Sequence, residues 1–72
     1  MSNRAAIILK TGRAIRGLSQ DEVAEIYGVH RRTYQRWEQG KCNVPSDHLF
    51  AILEQVFKLT IDQIREAANA AI

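Results

Sequence analysis

Residues 17–43 read GLSQDEVAEIYGVHRRTYQRWEQGKCN, and this stretch decides the fold. Ser19 and Glu22 have the S-x-x-E form of a capping box, in which the hydroxyl and the carboxylate each satisfy a backbone N–H that the first turn of a helix leaves without a partner. A helix is therefore expected to start there. Val23, Ala24 and Tyr27 fall on one face of it, and Gly28 ends it, because a sharp turn needs a positive φ that glycine adopts without steric cost. A second helix begins almost at once. Val29 precedes its cap, His30 takes the cap position, Tyr34 and Trp37 form a buried stripe at i, i+3, and Gly40 closes it.

On the N-terminal side, an apolar pattern from about Arg4 to Arg16, with Ile8, Ile15 and Leu18 at near-helical intervals, predicts a first helix that stops at Gly17. Gly12 interrupts it at about 1 kcal/mol relative to alanine, so either close packing compensates or the helix is weak at that turn. On the C-terminal side, Lys41 to Pro45 reads as a loop, with Ser46 as the cap of a fourth helix. From Ser46 to Phe57, Leu49, Ile52, Leu53 and Val56 stand at helical spacing and predict that this helix is buried. Thr60 with Gln63 repeats the capping-box pattern for a fifth, carrying Ile61, Ile64, Ala67 and Ala68. No run alternates as a strand would, so the fold class expected is all-α, in one domain over 1–72 with the central pair of helices at about 19–39.

Composition narrows the function classes. The net charge of +2 conceals an asymmetry: residues 1–41 hold eight Lys or Arg against four Asp or Glu, and residues 42–72 hold two against four. A basic first half points one face toward an anion. Cys42 is the single cysteine, which excludes an intrachain disulfide and suggests a reducing compartment. No apolar run approaches a membrane span and the N-terminus lacks the form of a signal peptide, so a cytoplasmic protein is expected.

Two helices joined by a short glycine-containing turn define a helix-turn-helix, whose second helix enters the DNA major groove while the first crosses the backbone. Ala24 is small where the helices cross, Gly28 turns the chain, and Val23, Val29, Tyr34 and Trp37 hold the crossing from inside. Arg31, Arg32, Gln35 and Arg36 cannot lie on the Tyr34/Trp37 face and must meet solvent or a ligand. A short basic cluster alone is usually a solvated face. Within a complete motif DNA contact is the stronger reading, since arginine donates two hydrogen bonds to guanine O6 and N7.

The segment LSQDEVAEIYGVHRRTYQRWEQGK resembles the Cro and repressor type of helix-turn-helix, the XRE family of phages and bacteria. The resemblance covers roughly residues 4–65 and rests on LSQ, the Ala-x-x-x-Gly-Val spacing, the RWE-x-GK ending and a Pro before the fourth helix. It implies a compact five-helix, lambda-repressor-like domain and a transcriptional regulator, most readily a Cro-like repressor that binds a pseudo-palindromic operator in double-stranded DNA as a homodimer. By the same resemblance His30, Arg31, Arg32, Gln35 and Arg36 would contact bases, Arg13, Lys41 and Asn43 would contact phosphates, and Gln20 would brace against both a phosphate and the recognition helix. An Arg13–Glu38 salt bridge is implied as well, consistent with the repulsion an unpaired carboxylate would meet beside phosphates. The chain departs from the family at His30, where Ser or Thr is usual and caps better, and at Tyr34, usually aliphatic, whose hydroxyl must reach water or a partner.

The remaining chemistry-bearing residues read blandly. His30 and His48 lack companions at metal-ligand spacing, so they are surface residues and no metal is expected. Cys42 lacks a positioned base and Trp37 repeats with Tyr34 as core, so no enzyme activity, cofactor or small-molecule ligand is expected. Subunit pairing falls to the fourth and fifth helices, with Phe57, Leu59, Ile64 and Ile72 as candidates. The alternative is a helix-turn-helix that binds protein, as an antitoxin-like partner would; arginines on the reading face favour DNA over it.

Overall fold

The computed structural model describes residues 4–70. Five α-helices succeed one another: α1 (Arg4–Arg16), α2 (Gln20–Tyr27), α3 (Arg31–Gln39), α4 (Ser46–Ile52), which runs into a π-helical segment at Leu53–Phe57, and α5 (Ile61–Ala70). Among the described residues there is no strand. Leu9, Val23, Ala24, Tyr34, Trp37, Ile52, Leu53, Phe57 and Ile64 form one buried cluster to which every helix contributes.

The inward face of α1 differs from the expected one. It runs through Ala6, Leu9 and Gly12, while Ile15 is 42% exposed and Ile8 and Leu18 pack only partly. The line continues at Arg13 and Arg16, whose side chains reach back to the body of the protein, so the apolar stripe ends a turn early. Arginine stems pack like aliphatic chains and leave the guanidinium to find acceptors. Arg16 finds two: Nε donates to the Phe57 carbonyl at 2.6 Å and Nη2 to the Lys58 carbonyl at 3.2 Å, capping the end of the π-helical segment.

Gly12 owes its place to close packing. A Cβ there would lie 2.5 and 2.7 Å from Cδ2 and Cε2 of Phe57, a fully buried ring, so only glycine lets α1 rest on it.

The caps of α2 match the sequence closely. The Ser19 Oγ accepts from the Glu22 N–H at 3.0 Å and the Ser19 N–H donates to the Glu22 carboxylate at 2.9 Å. Gly28 takes a left-handed conformation with φ 92°, and the chain enters α3 after a three-residue turn. Ala24, 2% exposed, sits where α2 and α3 pack, and a larger side chain there would push the helices apart.

Two differences mark the second half. Ser46 does not cap α4: Pro45 holds the cap position without a side-chain hydrogen bond, and Ser46 is already helical. The helix expected over Ser46–Phe57 changes type at Leu53. The wider i→i+5 turn brings Phe57 back onto the line of Ile52, so both stay inside together with Leu53. Lys58 then takes a left-handed conformation with φ 53° and ends the segment. At α5 the capping box is present, with Thr60 N–H to Gln63 Oε1 at 2.9 Å and Gln63 N–H to Thr60 Oγ1 at 3.1 Å. Phe57 and Ile64 are 0% and 2% exposed, so both belong to the core, and Ile64 also lines the groove between α1 and α5. The side chain of Ala68 and all of Ile72 lie outside the described residues.

Candidate nucleic-acid interface

The recognition helix α3 is positioned by its buried face and by a polar cluster beneath it. Tyr34, Trp37 and Glu38 are its buried residues. Measured around the helix at about 100° per residue, Arg32 and Arg36 each lie about 160° from Tyr34, on opposite sides of the outward line. Both are exposed and neither makes an ion pair among the described residues. Gln35 flanks them and is half-buried. Gln39 shares this outward face, an exposed residue one turn beyond Gln35 that the motif did not single out although its i+4 spacing shows it.

Arg31 sits at the edge of the face and leans toward the start of α2. Its Nη1 is 3.7 Å from the Asp21 carboxylate, with side-chain exposures of 69% and 61%. So exposed a pair contributes at most about 1 kcal/mol, and a stronger acceptor displaces it readily. The pair places the N-termini of α2 and α3 side by side, and with them Gln20 and Arg31.

Glu38 is 1% exposed, and its carboxylate is held from three sides. Arg13 Nε donates to Oε2 at 2.7 Å and Nη2 to Oε1 at 3.0 Å, while Gln20 Nε2 donates to Oε1 at 3.2 Å. Arg13 Nη1 also donates to the Leu18 carbonyl at 3.0 Å. One carboxylate thus ties α1, α2 and α3 together. Burial works to raise the Glu38 pKa, but the Arg13 guanidinium, with the neighbouring Tyr34 and Gln20 groups adding, holds it below the usual carboxylate value. The same bond raises the Arg13 pKa against the effect of burial. Burial, with the Glu38 charge adding, pushes the Tyr34 hydroxyl well above its ordinary value. That hydroxyl feels the carboxylate electrostatically but has no hydrogen-bond partner among the described residues.

The cap of α3 is His30, whose Nδ1 accepts from the Arg32 N–H at 3.2 Å. The imidazole therefore does the work of the usual hydroxyl, with its proton on Nε2, and it is exposed. Lys41 and Asn43 are exposed in the loop after α3, and Cys42 between them is a free, exposed thiol. His48 is exposed on α4 yet engaged: its Nδ1 lies 2.6 Å from the Tyr27 hydroxyl and its ring 5.6 Å from that of Trp37. This contact fixes the end of α2 to α4, and no spacing rule signals it.

A helix-turn-helix family model matches residues 9–64. The chain belongs to the helix-turn-helix family of the Cro and repressor (XRE) type. Membership makes this helix-turn-helix protein a DNA-binding regulator of that type. No curated protein and no solved structure matches the chain. Among the described residues no helix is long and apolar enough to cross a membrane. The matched span runs from Leu9 in α1 to Ile64 in α5 and so takes in the whole Arg13–Gln20–Glu38 cluster and both motif helices.

Proposed function

We propose that this helix-turn-helix protein is a sequence-specific repressor of Cro-like action, which lays α3 in the major groove of a pseudo-palindromic operator as a homodimer. The observation that carries the reading is the outward face of α3, where Arg32 and Arg36 are exposed and without ion pairs among the described residues and Arg31 is held only by a weak, exposed contact. An exposed guanidinium with no internal partner is a donor fork free for guanine O6 and N7. Arg32, Gln35 and Arg36 form the reading row, with Arg31 and His30 at its N-terminal edge and Gln39 at its far end.

Phosphate contact falls to Lys41 and Asn43, and to Gln20 through the part of its amide not bonded to Glu38. Arg13 is a positioning residue in this reading, because Nε, Nη1 and Nη2 each already donate inward. An occupied operator then blocks polymerase sterically. Two subunits one helical turn apart double the few base pairs that one helix can read.

Alanine substitution separates the roles. Arg36→Ala or Arg31→Ala is expected to cost about 1–3 kcal/mol and to relax base preference at one position of the half-site, whereas Lys41→Ala weakens all sequences alike and flattens the salt slope by about one unit. Fluorescence titration of wild-type and variant proteins against single-base variants of one duplex, at several salt concentrations, measures both quantities. Uniform weakening by Arg36→Ala would reduce that residue to a phosphate contact.

A further inference from the structure

A groove of about 430 Å³ lies between α1 and α5, and every residue that lines it belongs to one of these two helices, away from the DNA-facing elements. Helical spacing makes its floor apolar. Ile7 and Ile8 stand three and four residues after Arg4, and Ile64 and Arg65 three and four after Ile61, so one face of each helix turns into the groove. Ile64 is buried, Ile8 and Ile61 are half-buried and Ile7 is 47% exposed. The floor therefore keeps apolar surface in contact with water. Small-molecule pockets run to about 300–1,000 Å³ and have this make-up, an apolar lining with a few placed polar groups.

The polar groups here are cationic. Arg4 and Arg65 are the charged residues of the lining, one from each helix. Both are exposed, and neither makes an ion pair among the described residues. A guanidinium stays charged and presents a planar donor fork that fits a carboxylate bidentately. The exposed Asn69 adds an amide to the same lining. We propose that the groove binds a free single-chain aliphatic carboxylate, a fatty acid of medium length, with its tail along the four isoleucines and its head group on the arginines.

Other occupants match only part of this lining. A neutral aliphatic chain leaves both guanidiniums unused, and a small inorganic anion leaves the isoleucines wet. The lining contains no carboxylate, so a second copy laid groove to groove brings arginines toward arginines. An extended anionic surface, such as a bilayer, also meets Asp62 and Glu66, which are exposed on α5 outside the lining and repel it. A ligand small enough to sit within the groove faces the lining alone.

NMR titration of the full-length chain with decanoate tests the assignment, with decanol and butyrate as controls and each kept below the concentration at which it forms micelles. Decanoate should shift the methyl signals of Ile7, Ile8, Ile61 and Ile64 and bind about tenfold or more tightly than either control. Arg4→Gln and Arg65→Gln change exposed positions, and circular dichroism establishes that each variant is folded. Each should weaken decanoate about threefold or more while leaving decanol unchanged, since only the charge-assisted bonds are lost.

Equal affinity for decanoate and decanol would overturn the proposal. So would shifts centred on Ile26 and Phe50, the large apolar residues exposed on other helices, which would mark unspecific adsorption. Vesicles of anionic phospholipid that perturb the four isoleucines when decanoate does not would give the groove to a membrane surface. Concentration-dependent shifts of the same methyls without any response to decanoate would give it to a second copy. DNA binding is read separately, on α3, and its outcome leaves the groove assignment as it stands.

Discussion

Glu38 shows how one residue connects stability to recognition. Its burial in the middle of α3 is possible only because Arg13 and Gln20 supply three donors from two other helices. Removing one partner from a buried pair leaves an uncompensated charge, which costs about 3–5 kcal/mol. A domain of this size has about 4–11 kcal/mol in all. Arg13→Ala should therefore lower the urea unfolding midpoint severely and loosen α3.

The pH dependence has a definite sign. The Glu38 pKa lies below its unfolded value, so its contribution to stability is fully present above the ordinary carboxylate range and is lost as pH falls through the depressed folded value. Wild type should lose stability over that acidic window more steeply than Glu38→Gln, as followed by urea melts at several pH values. Parallel curves would mean that the pair is not formed in solution. The Arg13–Glu38 pair and the bracing of Gln20 against the recognition helix were legible only through the family resemblance; that Gln20 meets the same carboxylate as Arg13, and that Arg16 caps the π-helical segment, depended on the crossing angles of helices far apart in sequence.

At the scale of elements, the central motif was readable because its signals are local. Ser19 and Glu22 sit three residues apart, Gly28 meets the turn, and Tyr34 with Trp37 marks one face; each device acts within a turn or two. The capping box at Thr60 and Gln63 was legible for the same reason. What escaped was decided by tertiary packing. Ile15 fits the helical period but faces outward, because Arg13 and Arg16 take the inward line. Ser46 has the right chemistry for a cap, but Pro45 takes the position. The change to a π-helical turn at Leu53 keeps Ile52 and Phe57 on one side, a demand that comes from the core and leaves no mark in the local pattern.

Gly12 tests this packing directly. Alanine would gain about 1 kcal/mol in helix propensity but would drive a methyl into the Phe57 ring, and overpacking of a filled core costs about 1–3 kcal/mol. Because Phe57 is wholly buried and Arg16 caps its carbonyl, the ring has little room to yield. Gly12→Ala should therefore lower the thermal midpoint, whereas a rise would show that α1 can move off the ring.

The molecule as a whole has two distinct sides. One bears Arg31, Arg32, Gln35, Arg36 and Gln39 on α3 with Lys41 and Asn43 after it. The other bears the α1–α5 groove, apolar along Ile7, Ile8, Ile61 and Ile64 with Arg4 and Arg65 beside them. Between them stand the core and the Glu38 cluster, which fix how α3 is held. The basic half of the sequence supplies the exposed arginines of α3, whereas the groove draws on both halves, Arg4 from the first and Arg65 from the second. The position of the second side was not legible, since Phe57 and Ile64 carry the same apolar signal as Ile7 and Ile61 until packing decides which pair is covered.

Selection of bound duplexes from a random pool tests the central claim most directly, because it reads base specificity, half-site spacing and symmetry at once. The arginine face predicts enrichment of a short motif containing G·C pairs, repeated with two-fold symmetry about one helical turn apart. A pool that emerges without a motif, held only by salt-sensitive binding, would contradict sequence-specific recognition by α3.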